Sequence, residues 1–330
     1  MLTSTLLEAR VGAGTDFELG DRHSGRAGRY AETVRHRAGA RTPHLQPRDT
    51  PRLVRCTRCS TVSRAEADRK VLLFPDTYTN YSYPTAGKAA VETLEAAGVH
   101  VTIPDNTAPS GRAAYSTGML DVARDRAETN TDRLADRVTE GWDIVFVEPS
   151  DAVMFQDEYL DLLDGSAVSQ VADSAYGVLE YLDTFRLDDA LPVEDRSLGA
   201  AGAVSYHGHC NQKGTNKDHH AVGVMRRVGY EVDPLDSTCC GMAGSFGYHD
   251  EHYDLSKTIG RLLFDKVEES DGDRVVALVG PAARSWVTAT ASTSSRPILS
   301  KLSPSDYQTQ RRPHGRRDRN MGCLSGLIPE

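Results

Sequence analysis

Six short apolar runs limit what this chain can fold into: Val71-Leu72-Leu73-Phe74, Val99-His100-Val101-Thr102-Ile103, Asp143-Ile144-Val145-Phe146-Val147, Ala203-Val204-Ser205-Tyr206, Tyr230-Glu231-Val232 and Arg274-Val275-Val276-Ala277-Leu278-Val279. Each is too short for a core helix, and several have no polar face, as in a parallel sheet covered on both sides. Helical spacing fills the intervals. One helix is expected from Thr85 to Ala97, stopped by Gly98, and a long one follows through Met119, Leu120, Val122, Leu134 and Val138. Others run through Phe155, Tyr159, Leu162 and Leu163, unbroken from Val168 to Phe185, near His220 to Val228, and from Glu251 to Val267.

The pattern occurs twice. Gly111 lies as far beyond Phe74, to within two residues, as Gly241 lies beyond Tyr206, and Val147 and Val279 follow those glycines at spacings that also agree to within two residues. The expected fold class is therefore α/β: two repeated β-α-β-turn-α-β units with parallel sheets, between disordered N- and C-terminal ends. The domain reading is 1–60 disordered, 61–190 a first repeat, 191–282 a second repeat and 283–330 a disordered tail.

Of the 330 residues, 39% are apolar, and the net charge is −9. The acidic residues concentrate between 61 and 280, while both ends are net basic. An acidic body argues against a nucleic-acid partner. No apolar run reaches the length of a membrane span, and Met1 to Leu7 lacks the charged start and long apolar stretch of a signal peptide. The expected location is the cytoplasm, with peripheral attachment to the inner membrane face as a further option and no integral membrane segment.

The cysteines stand at 56, 59, 210, 239, 240 and 323, which is no secreted disulfide framework. Cys56-Thr57-Arg58-Cys59 lacks a second pair at zinc-site distance and reads as chance. Cys239-Cys240-Gly241 is different. A planar trans peptide holds two adjacent sulfurs badly for a disulfide, so they read as thiolates facing a third party. Gly241, Gly244 and Gly247 let the backbone turn tightly around it. In open parallel sheets the loops at the carboxyl ends of the strands converge, which brings Cys210 of His207-Gly208-His209-Cys210 to the same place. Thiolates grouped in this way suit an iron–sulfur cluster or zinc. The corresponding turns of the first repeat carry Ser110 and Asp151, so that copy is expected to hold no cluster.

These motifs resemble the cysteine-rich CCG domain of heterodisulfide reductase. The nearest forms are those at the C-terminal end of FAD-linked D-lactate or glycolate oxidases and in the iron–sulfur subunit of anaerobic glycerol-3-phosphate dehydrogenase. The resemblance is carried by Phe74-Pro75-Asp76-Thr77 with Asn80-Tyr81, Ser110-Gly111-Arg112 with Gly118-Met119-Leu120-Asp121, Glu148-Pro149-Ser150, His207 to Gln212, and Cys239 to Tyr248. It implies that Cys210, Cys239 and Cys240 ligate an iron–sulfur cluster of the 4Fe-4S type, with Gly241, His207 and His209 beside them. It further implies a flavin-containing dehydrogenase domain or subunit as partner, FAD on that partner, and a quinone or other acceptor for the electrons. The chain alone is then not a complete oxidoreductase.

The family pattern expects one more cysteine after the last strand, where this chain reads Gly280-Pro281-Ala282-Ala283-Arg284-Ser285. The change of composition near 60 and 280 suggests that both ends are out of frame and the chain a truncated or damaged copy. Two other readings stay open: a cluster-free scaffold that binds partner subunits, and a zinc site on the three cysteines with a histidine. Among the remaining residues, Arg112 and Glu148 are expected to form a structural ion pair. His219 and His220 read as surface histidines, and His252 with Tyr253 as the opening of a helix.

Overall fold

A computed structural model describes residues 60–277 apart from 83, 237, 238 and 245. The readings made for residues 1–59, for Cys56, Cys59 and Cys323, and for the segment around Ala283 lie outside the described residues.

The first sheet comprises β1 (Lys70–Leu73), β2 (His100–Thr102), β3 (Asp143–Phe146) and β4 (Ala175–Gly177), ordered β2-β1-β3-β4. The second comprises β5 (Gly202–His207), β6 (Tyr230–Pro234) and β7 (Arg274–Ala277), ordered β6-β5-β7. All pairings are parallel. Omitting β4, the two orders are the same, which is the internal repeat expected from the spacing.

The central strands β1 and β3 of the first sheet serve two cores because successive side chains point to opposite faces. Leu72, Phe74, Ile144 and Phe146 pack outward against Trp142, Phe155 and Tyr159. Phe74, Phe146, Phe155 and Tyr159 form a ring stack with centroids 4.2 to 5.1 Å apart. Val71, Leu73, Val145 and Val147 face the other way and share one core with Val204, Tyr206, Tyr230, Val232 and Val276 of the second sheet. Helices α1 (Pro84–Ala96), α7 (Val178–Thr184) and α9 (His219–Arg227) contribute to this shared core.

Two expectations about the helices need correction. The helical stretch from Val168 to Phe185 is broken: α6 (Ser166–Asp173) ends, β4 pairs with β3, and α7 begins at Val178. A three-residue strand has no readable period, and Ala175-Tyr176-Gly177 has little strand propensity. It forms because β3 offers it a ladder of backbone partners.

The long helix divides into α2 (Arg112–Ser116) and α3 (Leu120–Thr139), and α3 turns a different face inward. Met119, Leu120 and Val122 are exposed, whereas Ala123, Ala127, Asn130, Thr131 and Leu134 are buried. Small residues allow close approach, and Asn130 has a polar task. Its Oδ1 accepts the Ala108 N–H at 2.9 Å, while its Nδ2 donates to Pro109 O at 3.3 Å and Tyr159 Oη at 2.9 Å. Tyr159 opens α5 (Tyr159–Leu162), and its Oη in turn donates to Ser110 O at 2.9 Å. The turn at Ser110 is thus pinned from below.

A polar clamp also joins the repeats. Arg227 of α9 pairs with Asp183 and with the fully buried Asp188, which it meets at 2.6 Å. His220 Nδ1 lies 2.6 Å from Asp183 Oδ2, so this histidine is an inter-repeat contact and not a free surface group. His219 is exposed, as expected. Lys217 Nζ reaches the buried Glu180 at 2.9 Å.

Candidate functional site

Strand β5 ends at His207, which is buried. Burial, with the charges of Lys213 and His209 nearby, pushes its pKa down to about 3, so it is neutral. His209 caps the short helix α8 (Cys210–Gly214): its Nδ1 accepts the Asn211 N–H at 3.3 Å. Burial and the Arg112 charge bring its pKa down to about 4. Cys210 opens α8 and is exposed, yet partial burial of the sulfur and the proximity of Cys239 push its thiol up.

Strand β6 delivers Cys239 and Cys240 from the neighbouring loop, whose start is tied to β5 by Leu235 N–H donating to Tyr206 O at 2.9 Å. Both cysteines are half-buried and free. Cys240 hydrogen-bonds to the Cys239 sulfur, and the backbone N–H groups of Gly241 and Ala243 also favour the thiolate, bringing the Cys239 pKa down to about 6. Gly241 N lies 3.3 Å from Cys239 Sγ. The same bond and burial drive Cys240 strongly upward, so Cys239 is the more readily ionised of the pair.

Gly241 must be glycine. Its φ of +87° is left-handed, and a Cβ there would stand 2.0 Å from Ser256 O. Ser256 lies in α10 (Tyr253–Glu269) and donates from Oγ to Gly241 O at 2.8 Å. Phe246 and His252 stack at 4.1 Å where that helix opens, which bears out the helix-opening reading of His252 and Tyr253.

Cys210, Cys239 and Cys240 are close enough to perturb one another's ionisation. Among the described residues, however, no three of His, Cys, Asp or Glu stand near enough together to share one metal ion. A zinc ion needs its donors about 2.3 Å from a single point. A cluster presents several irons, and its thiolates stand further apart. The soft donors, the stabilised thiolate and the N–H pointing at sulfur are the chemistry an iron–sulfur group takes.

The mouth of the first repeat has oxygen where the second has sulfur. Asp76, beyond β1, is buried and accepts the Thr79 N–H at 2.8 Å. Ser110 donates to Asp151, and Ser150 Oγ donates to the fully buried Glu148 at 2.7 Å. Burial pushes Asp76 up to about 6, and burial reinforced by the neighbouring carboxylates pushes Asp151 up to about 7 and Glu148 well above the usual carboxylate range. The expected Arg112–Glu148 pair does not form. Arg112 pairs with Glu158, while Glu148 Oε1 lies 3.5 Å from His209 Nε2 of the other repeat. The carboxylate set was legible in part, since β1 and β3 are neighbours and both run into acidic loops. The contact across the repeats left no signal in either loop.

Residues 204–279 match the family model CCG, a cysteine-rich domain, so the chain carries a CCG cysteine-rich domain over its second sheet and the cysteine loops. It is similar to one subunit of the anaerobic glycerol-3-phosphate dehydrogenase of Escherichia coli K12, 28% identical over 225 residues, which cover 66% of this chain and 55% of that protein. Lactate utilization protein A of Geobacillus kaustophilus is 28% identical over 63% of this chain and 85% of its own length. D-2-hydroxyglutarate dehydrogenase of Pseudomonas putida is 23% identical over 68% of this chain and 21% of its own. The chain thus spans about half the length of the glycerol-3-phosphate dehydrogenase subunit it matches.

Proposed function

We propose that the chain is an iron–sulfur electron-transfer module of a flavin-linked dehydrogenase acting on a CH–OH substrate, either a 2-hydroxy acid such as D-lactate or glycolate, or glycerol 3-phosphate. Cys210, Cys239 and Cys240 are its ligands. The observation that carries this reading is the meeting of three free cysteines from two adjacent strand ends, with the Gly241 N–H directed at the Cys239 sulfur. The names of the relatives support the dehydrogenase context.

A cluster bound here would supply one-electron storage. The chain's own residues do the rest. Gly241 and Ala243 direct N–H groups at the Cys239 sulfur, and Gly241 allows the turn that places both cysteines. His207 and His209 stay neutral and add no positive charge. Cys210, exposed at the rim, leaves an edge open to an electron partner. The donor is FAD on a partner domain or subunit, and the acceptor is a quinone or another carrier. Among the described residues no helix is long and apolar enough to cross a membrane, so the reading includes only peripheral contact with one.

The chain is further read as a damaged copy, because Ala283 stands where a fourth thiolate is expected. Sequencing the gene for an encoded cysteine in a neighbouring frame tests that part. The main test is anaerobic purification and reconstitution, with iron and sulfide analysis and EPR. Iron and sulfide in similar amounts, with a signal on reduction, are expected. A well-folded chain that takes up neither sinks the cluster and leaves the scaffold reading, and zinc in their place supports the zinc one.

A further inference from the structure

The first repeat carries no thiolate among its described residues, yet it touches the cysteine site through His209. This histidine stands next to a proposed ligand, and its ring reaches both repeats. Its Nδ1 accepts the Asn211 N–H at 3.3 Å, which fixes the first turn of α8 and therefore the backbone that carries Cys210. An imidazole whose Nδ1 accepts a backbone N–H carries its proton on Nε2. That nitrogen faces Glu148 Oε1 at 3.5 Å. Glu148 is itself immobilised: it is fully buried, caps α4 (Pro149–Val153), and accepts from the Ser150 N–H at 3.2 Å and Ser150 Oγ at 2.7 Å.

We propose that Glu148 is a positioning residue for the cysteine site of the other repeat: it orients His209, and His209 orients the helix start that presents Cys210. The inference rests on Cys210 being a functional thiol, as read above. The groups facing this contact are Asp76 and Asp151 on the Glu148 side and Arg112 on the His209 side. Glutamine at 148 keeps the accepting oxygen, and its amide N–H groups would point toward the neighbouring carboxylates. Alanine removes the acceptor.

The test measures alkylation of each cysteine by iodoacetamide, mapped by mass spectrometry, in the metal-free full chain, so that it is independent of whether a cluster loads. Glu148→Ala is expected to raise the Cys210 rate about fivefold while Cys239 changes less than about twofold, because only the helix start at 210 loses its support. Glu148→Gln is expected to match the unaltered chain. His209→Ala should reproduce the effect, and the double variant should exceed neither single one, because one chain of contacts is being cut twice. An unchanged Cys210 rate, an equal rise at Cys239, or Glu148→Gln behaving like Glu148→Ala would overturn the proposal. Should Glu148→Ala fail to fold, His209→Ala decides by the same Cys210 measurement. A chain that binds no iron but shows the selective Cys210 effect would separate failure of the cluster from failure of this inference.

Discussion

Gly111 and Gly241 occupy the same point in the two repeats, with left-handed φ of +91° and +87°. Ser110 precedes the first, hydrogen-bonded to Asp151; Cys240 precedes the second, hydrogen-bonded to Cys239. A Cβ on Gly111 would meet Ala123 O at 3.3 Å, whereas one on Gly241 would be driven to 2.0 Å from Ser256 O. One backbone design therefore serves two chemistries. Where the mouth holds hydrogen-bonded oxygens, the turn is loose enough to tolerate adjustment. A helix lies against both turns, α3 at Gly111 and α10 at Gly241, but only α10 is pressed so close that its backbone leaves no room for a Cβ.

The sharpest way to break this contrast is at the sulfurs. Cys239→Ser should abolish iron retention on reconstitution, a loss of more than about tenfold, while Ser110→Ala leaves it unchanged. Equal iron in both variants would place the metal elsewhere. Next in size, Gly241→Ala should cost about 4 kcal/mol or more, since no flexible group can yield to the new methyl, and Gly111→Ala only about 1–2 kcal/mol. Denaturant midpoints compare the two, and equal losses would mean that the helix contact at Gly241 does not matter.

Arg227→Met tests whether the repeats unfold as one body. It strands the buried Asp188 and should cost about 3 kcal/mol, with a single transition retained in both fluorescence and circular dichroism. Separate transitions for the two sheets would argue against the shared core.

The smallest expected effect is on pH dependence, and its sign differs between the mouths. Asp76 and Asp151 have raised folded pKa values, so their contribution to stability is present at low pH and lost as pH rises through about 6 to 7. Cys239 has a lowered one, so in the metal-free chain its contribution is present at high pH and lost as pH falls through about 6. Asp151→Asn should therefore gain melting temperature relative to the unaltered chain between pH 5 and 8, by a few degrees. Cys239→Ser should lose ground over the same interval. Parallel shifts in the two variants would contradict the assigned directions.

How much of this was legible follows from where the information sits. Val71 to Phe74 and Ile144 to Val147 announce buried strands because burial on both faces demands continuous apolar residues. Ala175 to Gly177 announces nothing, since that strand exists only beside β3. Met119, Leu120 and Val122 misled because apolar residues can stay exposed, while the buried side of α3 uses alanines and Asn130 for close approach. At the site, the vicinal cysteines and their glycine carry their own local geometry. The approach of Glu148 to His209 depends on how two sheets are placed against each other, which no local pattern encodes.

The shared core has a consequence for handling the protein in pieces. Val71, Leu73 and Val145 lie against the same interior as Val204, Tyr206 and Val232, so a cut near residue 190 would not release two soluble domains. Each fragment would carry a wide apolar face into water and become a substrate for chaperones or aggregation. The repeat without cysteines is in this sense a permanent folding partner of the other, covalently supplied.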